Sequence, residues 1–241
     1  MRYGAIINAL AVIAGGVLGM LGGGLITEKI KETVLKANGM SVILIAISGV
    51  LSKMFLISDA GIESQGSIML VVCLALGGII GEAIDIDGLL AKFGEWLKIK
   101  TKSENDGGFI DAFVTTSIIV AVGAMTIIGG IEDGLRGDMT IYIVKSIIDF
   151  ITVMVLAAAK GKGCVFAFVP VLVVQGGVTV LSGLLAPIMT TEVIGAISLV
   201  GNALIMGIGI NLLKPGTLRV ANLLPAVVLA ALWAGFNLPM T

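Results

Sequence analysis

Long apolar runs separated by short polar breaks recur along the whole chain. Eight runs stand out, at 4–26, 40–57, 66–83, 108–131, 140–159, 164–185, 193–213 and 219–238. At the 1.5 Å rise of a helix, about 20 such residues cover a hydrocarbon core about 30 Å thick. Uninterrupted stretches such as SIIVAVGAMTII lack the two-residue alternation of a barrel strand, and an open sheet edge cannot be satisfied in lipid. Each run is therefore predicted as a helix. The expected fold class is all-α, a polytopic transmembrane helical bundle of about eight spans forming a single integral membrane domain over 1–241. The first run follows Met1–Tyr3 directly and is longer than a signal-peptide core, so it is read as a retained helix.

Composition removes several functions. The chain is 57% hydrophobic and only 13% charged, about half the charged share of a soluble domain. Histidine is absent, and Cys73 and Cys164 stand singly in or beside apolar runs. The usual metal ligand and general base are thus missing, and neither a disulfide frame nor a zinc site is implied. With no P-loop and no nucleophile paired with a base, an enzyme is not expected. Nor is a nucleic-acid partner; the lipid bilayer is.

The cations sort by connection. Lys29, Lys31, Lys36, Lys92, Lys98, Lys100, Lys102, Lys160, Lys162, Lys214 and Arg219 fall on one set of loops, against Arg2, Lys53 and Arg136 on the other. Under the positive-inside rule both termini are predicted to face outward. Residues 85–102 put Leu89, Leu90, Phe93, Trp96 and Leu97 at helical spacing with lysines opposite, an amphipathic helix on the cytoplasmic surface. It serves either to link two halves or to sense lipid. With its polar linker it occupies 84–107.

A weak internal repeat appears at an offset of 164 positions. Gly19, Thr27, Glu28, Ile30, Leu35 and Asn38 match Gly183, Thr191, Glu192, Ile194, Leu199 and Asn202. An odd number of crossings separates the two segments, so the repeat would be inverted, as in many transporters. On that plan 1–83 is a first repeat (spans 1–3), 108–159 a central helix pair and 164–241 a second repeat (spans 6–8).

Gly15, Gly19 and Gly23 form a ridge of small residues along the first span, as Gly77 and Gly81 do in the third, and are expected to let helices approach closely. Gly129 and Gly130, with Gly123, Gly134 and Gly137 around them, are expected to weaken helix continuity in and after the fourth span, where freed backbone groups would have to line a cavity. Glu132, Asp133, Arg136 and Asp138 follow in an expected exterior loop, either simply solvated or forming an external vestibule, with Asp138 as N-cap of the fifth helix. Asp111 reads as helix-dipole stabilisation.

The sharpest signal is Lys145 with Asp149. Counted from Thr140, they lie about 8 and 14 Å along the fifth helix, the carboxylate close to the bilayer midplane. Their i,i+4 spacing puts both on one face, where an ion pair lowers the cost of burial. Either the pair ties the bundle together, or it marks an ion or substrate path. Gln175, Asn202 and Thr126 fall at similar depth and act either as interhelical glue or, with Asp149, as ligands of a cation or polar solute.

The stretch AFVTTSIIVAVGAMTIIGGIEDGLRGDMTIYIVKSIIDF resembles the YdfK/YqgA family of bacterial membrane proteins, a domain of unknown function. The resemblance rests on Gly-Ala-Met at 123–125, Asp-Gly at 133–134, Gly-Asp at 137–138 and Lys-Ser…Asp at 145–149. GAIINALAVIAGGVLG near the start and VPVLVVQGGVTVLSGLL around Gln175 fit it too. It implies a polytopic protein of a bacterial inner membrane and carries no activity to transfer. A cysteine common in the family before Gly-Ala-Met is replaced here by apolar residues.

The expected function is secondary transport of a small polar or anionic solute by a homodimer. No cofactor is expected beyond a bound Na⁺ or a transported H⁺. A channel and a non-transporting scaffold are the alternatives.

Overall fold

A computed structural model describes residues 2–23, 27–58, 61–103, 106–121, 124–236 and 238. Its helices are α1 (Gly4–Gly23), α2 (Glu28–Met54), α3 (Ser67–Ile84), α4 (Ile86–Lys100), α5 (Phe109–Ala121), α6 (Ala124–Arg136), α7 (Thr140–Lys160), α8 (Phe168–Val180), α9 (Ser182–Leu185), α10 (Thr191–Leu213) and α11 (Pro225–Gly235). The all-α class holds. One short antiparallel hairpin, β1 (Phe55–Ser58) with β2 (Gly61–Ser64), lies between α2 and α3, and its first strand takes residues 55–57, which the apolar run at 40–57 had placed in a helix.

Six segments are long and apolar enough to cross a membrane. α5 and α6, whose axes differ by 59°, qualify together, and Val220–Gly235 is a shorter apolar segment. These fall where hydropathy places the eight runs. The second helix starts at Glu28, well before the apolar run at 40–57, because helix-forming Glu, Lys, Leu and Ala carry it through the polar stretch.

The chain divides into two compact units, Met1–Asn38 with Gly88–Leu185, and Gly39–Asp87 with Ala186–Thr241. In the first, α1 lies along α7. Gly15, Gly19 and Gly23 sit so close to the main-chain carbonyls of Phe150, Met154 and Ala158 that a Cβ at any of them would collide. Residue numbers rise together along this seam, so α1 and α7 run parallel. The glycine ridge read from the sequence is thus a backbone-to-backbone contact, the close approach that drives helix association where lipid and side chain are equally apolar.

α8 runs antiparallel to α1, with Gly16 beside Val165 in the 3-10 turn preceding α8 and Asn8 beside Gln175. The bent pair follows the same neighbour from end to end. Gly163 abuts Phe109 and Phe113 at the start of α5, Gly130 abuts Val178, and Gly134 abuts Ser182 at the far end of α6. A re-entrant loop would return to the level at which it began. This pair ends at the opposite level, which is the geometry of one broken crossing.

In the second unit, Gly77 and Gly81 of α3 approach Ala226 and Asn222 in antiparallel sense. Gly39 and Gly49 of α2 likewise face Gly209 and Asn202 of α10.

Candidate functional site

α7 turns Tyr142, Lys145, Ser146, Asp149 and Val153 inward, a spacing of three and four residues that makes one buried face. Lys145 Nζ lies 3.1 Å from Asp149 Oδ1 and 3.0 Å from Oδ2. The two residues are only 7% and 4% exposed, and Asp149 is the tenth of the 21 residues of α7. The pairing expected from i,i+4 spacing is therefore present, at mid-helix and away from water.

Two further helices complete the seam. Asn8 of α1 donates through Nδ2 to Asp149 Oδ2 at 2.8 Å and to Gln175 Oε1 of α8 at 3.1 Å. Lys145, Asp149, Asn8 and Gln175 thus form one hydrogen-bonded chain across three helices. The Tyr142 hydroxyl lies 2.9 Å from the Thr126 carbonyl and 3.3 Å from that of Gln175, tying the first turn of α6 to α8. Thr126, in the first turn of α6 after the break, is thereby held at the level of Gln175. Four buried polar atoms along this seam and near the start of α1, Asn8 Oδ1, Gln175 Nε2, Thr126 Oγ1 and Asp133 Oδ1, have no protein partner. Each such orphan costs about 1–3 kcal/mol unless something polar meets it.

Several expectations need correction. Gly129 and Gly130 do not break the span: α6 continues through them to Arg136, and they instead make room for Tyr142. Gly123 lies outside the described residues. Glu132, Asp133 and Arg136 accordingly sit on a helix and not in a loop. Glu132 and Arg136 pair at 3.0 Å toward solvent, whereas Asp133 is fully buried and accepts the Gly4 N–H at 3.1 Å. That contact offsets the partial positive charge and one orphan amide at the start of α1. Asp138 does lie in the turn, but Met139 occupies the N-cap position, and Asp138 accepts from Thr140 N at 2.9 Å. Asn202 belongs to the second unit, where its amide donates to Ser198. Asp111 is also an ion-pair partner, 2.5 Å from Lys160.

Asn8 was missed from sequence, although it is the one polar side chain between Tyr3 and Thr27. Also missed was the cluster in which Arg219 reaches Glu82 and Asp85 at 2.6 and 2.5 Å while Asn222 donates to Glu82. Two polar clefts open at the lysine-rich end of the first unit, one lined by Met20, Gly23, Asp106 and residues 157–162, the other by Lys102, Ser103, Asp106, Gly107 and Lys162. Neither includes Lys145 or Asp149.

A multi-helix membrane protein with an ion pair held inside its bundle is the class these features define. Residues 3–235 match the family described as "Protein of unknown function (DUF554)", and the chain belongs to it. It is similar to the "Uncharacterized membrane protein YdfK" of Bacillus subtilis (strain 168), 25% identical over 227 residues that cover 94% of this chain and 93% of the relative. It is also similar to the "Uncharacterized protein YqgA" of Escherichia coli (strain K12), 27% identical over 234 residues that cover 95% of each. No solved structure matches.

Proposed function

We propose that the protein is a secondary transporter of a small polar or anionic solute, coupled to H⁺ or Na⁺, with its site around Lys145 and Asp149. One observation carries this reading: a buried Lys145–Asp149–Asn8–Gln175 chain whose two amides each keep an atom without a protein partner. An ionised side chain at the centre of a membrane helix costs about 2.5–3.5 kcal/mol on insertion scales, so such groups mark ion and substrate paths. A purely mechanical tie between helices needs no charge, because apolar residues of similar volume often serve as well or better.

In this mechanism Asp149 takes the coupling cation. Lys145 divides its hydrogen bonds between Asp149 and an anionic group of the solute, and Asn8 and Gln175 hold the solute's polar end. In this reading the closed Lys145–Asp149 pair belongs to the occluded state. The broken α5–α6 crossing borders the site, in keeping with the discontinuous helices that line midplane sites in many transporters. Glu132, Arg136 and Asp138 then stand at the outer mouth. Lys160 and Lys162 stand at the inner one, in keeping with a bacterial inner-membrane protein whose termini face outward. A homodimer is the assembly we assign.

The test begins with a thermal-shift screen of the purified protein against small polar metabolites. Uptake of the hit is then measured in proteoliposomes under an imposed H⁺ or Na⁺ gradient. Asp149→Asn is expected to abolish uptake while the protein remains folded; uptake equal to wild type removes Asp149 from the mechanism. A second reading, a non-transporting scaffold, is favoured by the way Lys145 and Asp149 satisfy one another. It expects lost stability on breaking the pair and no ligand-induced shift across the panel.

A further inference from the structure

α4 has two faces of different use. Gly94 and Leu97 are buried, Leu97 joining Phe109 and Phe113 of α5 in an apolar cluster. Leu89, Trp96 and Ile99 point the other way and are exposed, Trp96 by 51% and Ile99 by 56%, while Phe93 lies at the edge between the two faces, exposed on one side with its ring centroid 5.8 Å from that of Phe113 on the other. Phe93 and Trp96 stack with ring centroids 5.7 Å apart. Lys92 and Lys100 are exposed among these apolar side chains, with Lys98 half-buried and Lys102 exposed just beyond the helix.

The position of this face matters as much as its composition. Gly94 touches Phe113 and Ile110, in the opening turns of α5, so α4 lies at the level where a crossing begins. A helix at that level, with aromatic rings outward and lysines between them, matches the boundary between acyl chains and headgroups. Apolar rings alone would accept any lipid; the interleaved ammonium groups select the headgroup. Four lysines against Asp87 and Glu95 leave the α4 segment with a net positive charge. We propose that the exposed face of α4 is a binding surface for anionic phospholipid headgroups, with Phe93 and Trp96 seated among the acyl chains and Lys92, Lys98 and Lys100 on the phosphates. The surface is independent of whether the protein transports a solute.

The chain has two tryptophans, so Trp233→Phe leaves Trp96 as sole reporter. The variant is reconstituted into vesicles of unlabelled lipid containing brominated phosphatidylglycerol or, separately, brominated phosphatidylcholine at equal mole fraction. Brominated phosphatidylglycerol is expected to quench Trp96 severalfold more strongly. The preference should fall stepwise with each lysine removed, as expected for basic side chains near an anionic leaflet. It should vanish in Lys92→Gln/Lys98→Gln/Lys100→Gln, whose integrity is checked by circular dichroism and elution volume, and should weaken with added salt. Equal quenching by the two lipids would overturn the headgroup assignment. No quenching by either would overturn the surface altogether and indicate that protein covers it.

Discussion

The ion pair inside the first unit makes a quantitative prediction. Lys145 holds both oxygens of Asp149 at 3.0–3.1 Å, both residues are nearly fully buried, and Asn8 supplies the remaining donor. Lys145→Met leaves a carboxylate with one amide for company, and Asp149→Leu leaves an ammonium with no acid. Removing one partner of a buried pair costs about 3–5 kcal/mol, because the surviving charge is stranded. Removing both strands nothing but the Asn8 amide, worth about 1–3 kcal/mol. The Lys145→Met/Asp149→Leu double variant should therefore be more stable than either single one, with a coupling energy of several kcal/mol. Asp149→Asn should fall between, since its amide oxygen can still accept from Asn8. Reversible unfolding in a single bilayer mimetic, measured for all four corners of the cycle, checks this. Single losses below about 1 kcal/mol that simply add in the double variant would refute the reasoning and show that water reaches the pair.

Two further outcomes follow from the same structure. Gly19→Leu would drive a side chain into the Met154 carbonyl, whereas Gly22 has no atom within 4 Å of an added Cβ; we expect Gly19→Leu to cost about 1–3 kcal/mol or more as an overpacked contact and Gly22→Leu to be near neutral, as read by melting temperature. In the turn before α7, hydrogen bonding from Thr140 holds the Asp138 carboxyl below its ordinary value. Its stabilisation is present above the unfolded carboxyl range and is lost as pH falls through the lowered folded value, so Asp138→Asn should melt below wild type near neutral pH and differ little from it in strong acid, by melting temperature against pH.

How much was readable beforehand depends on the range of the interaction. Lys145 and Asp149 are four residues apart on one helix, and periodicity alone puts them together. The glycine ridge was readable as a contact surface because small residues every four positions have one common use in lipid, but its partner, the carbonyl row of α7, was not. Asn8 and Gln175 are separated by 167 positions; nothing local says that a lone amide in the first span should meet them. Asp133 was misplaced because glycines at 129–130 read as a helix break, while the surrounding chain carries the helix through and aims the carboxylate at the start of α1. Asn202 shared a depth with Gln175 but not a compact unit, since depth along a span says nothing of its direction around the bundle.

The reach from Asn8 to Gln175 also bears on how the protein is made. The first span leaves the ribosome with its amide unanswered, and its two partners, 141 and 167 residues downstream, arrive only after roughly ten to thirty seconds at usual elongation speeds. Until then α1 is a provisional guest of the bilayer or of the insertion machinery, and its glycine ridge has no row of carbonyls to lie against. α1 is therefore made well before the helices that lock it in place.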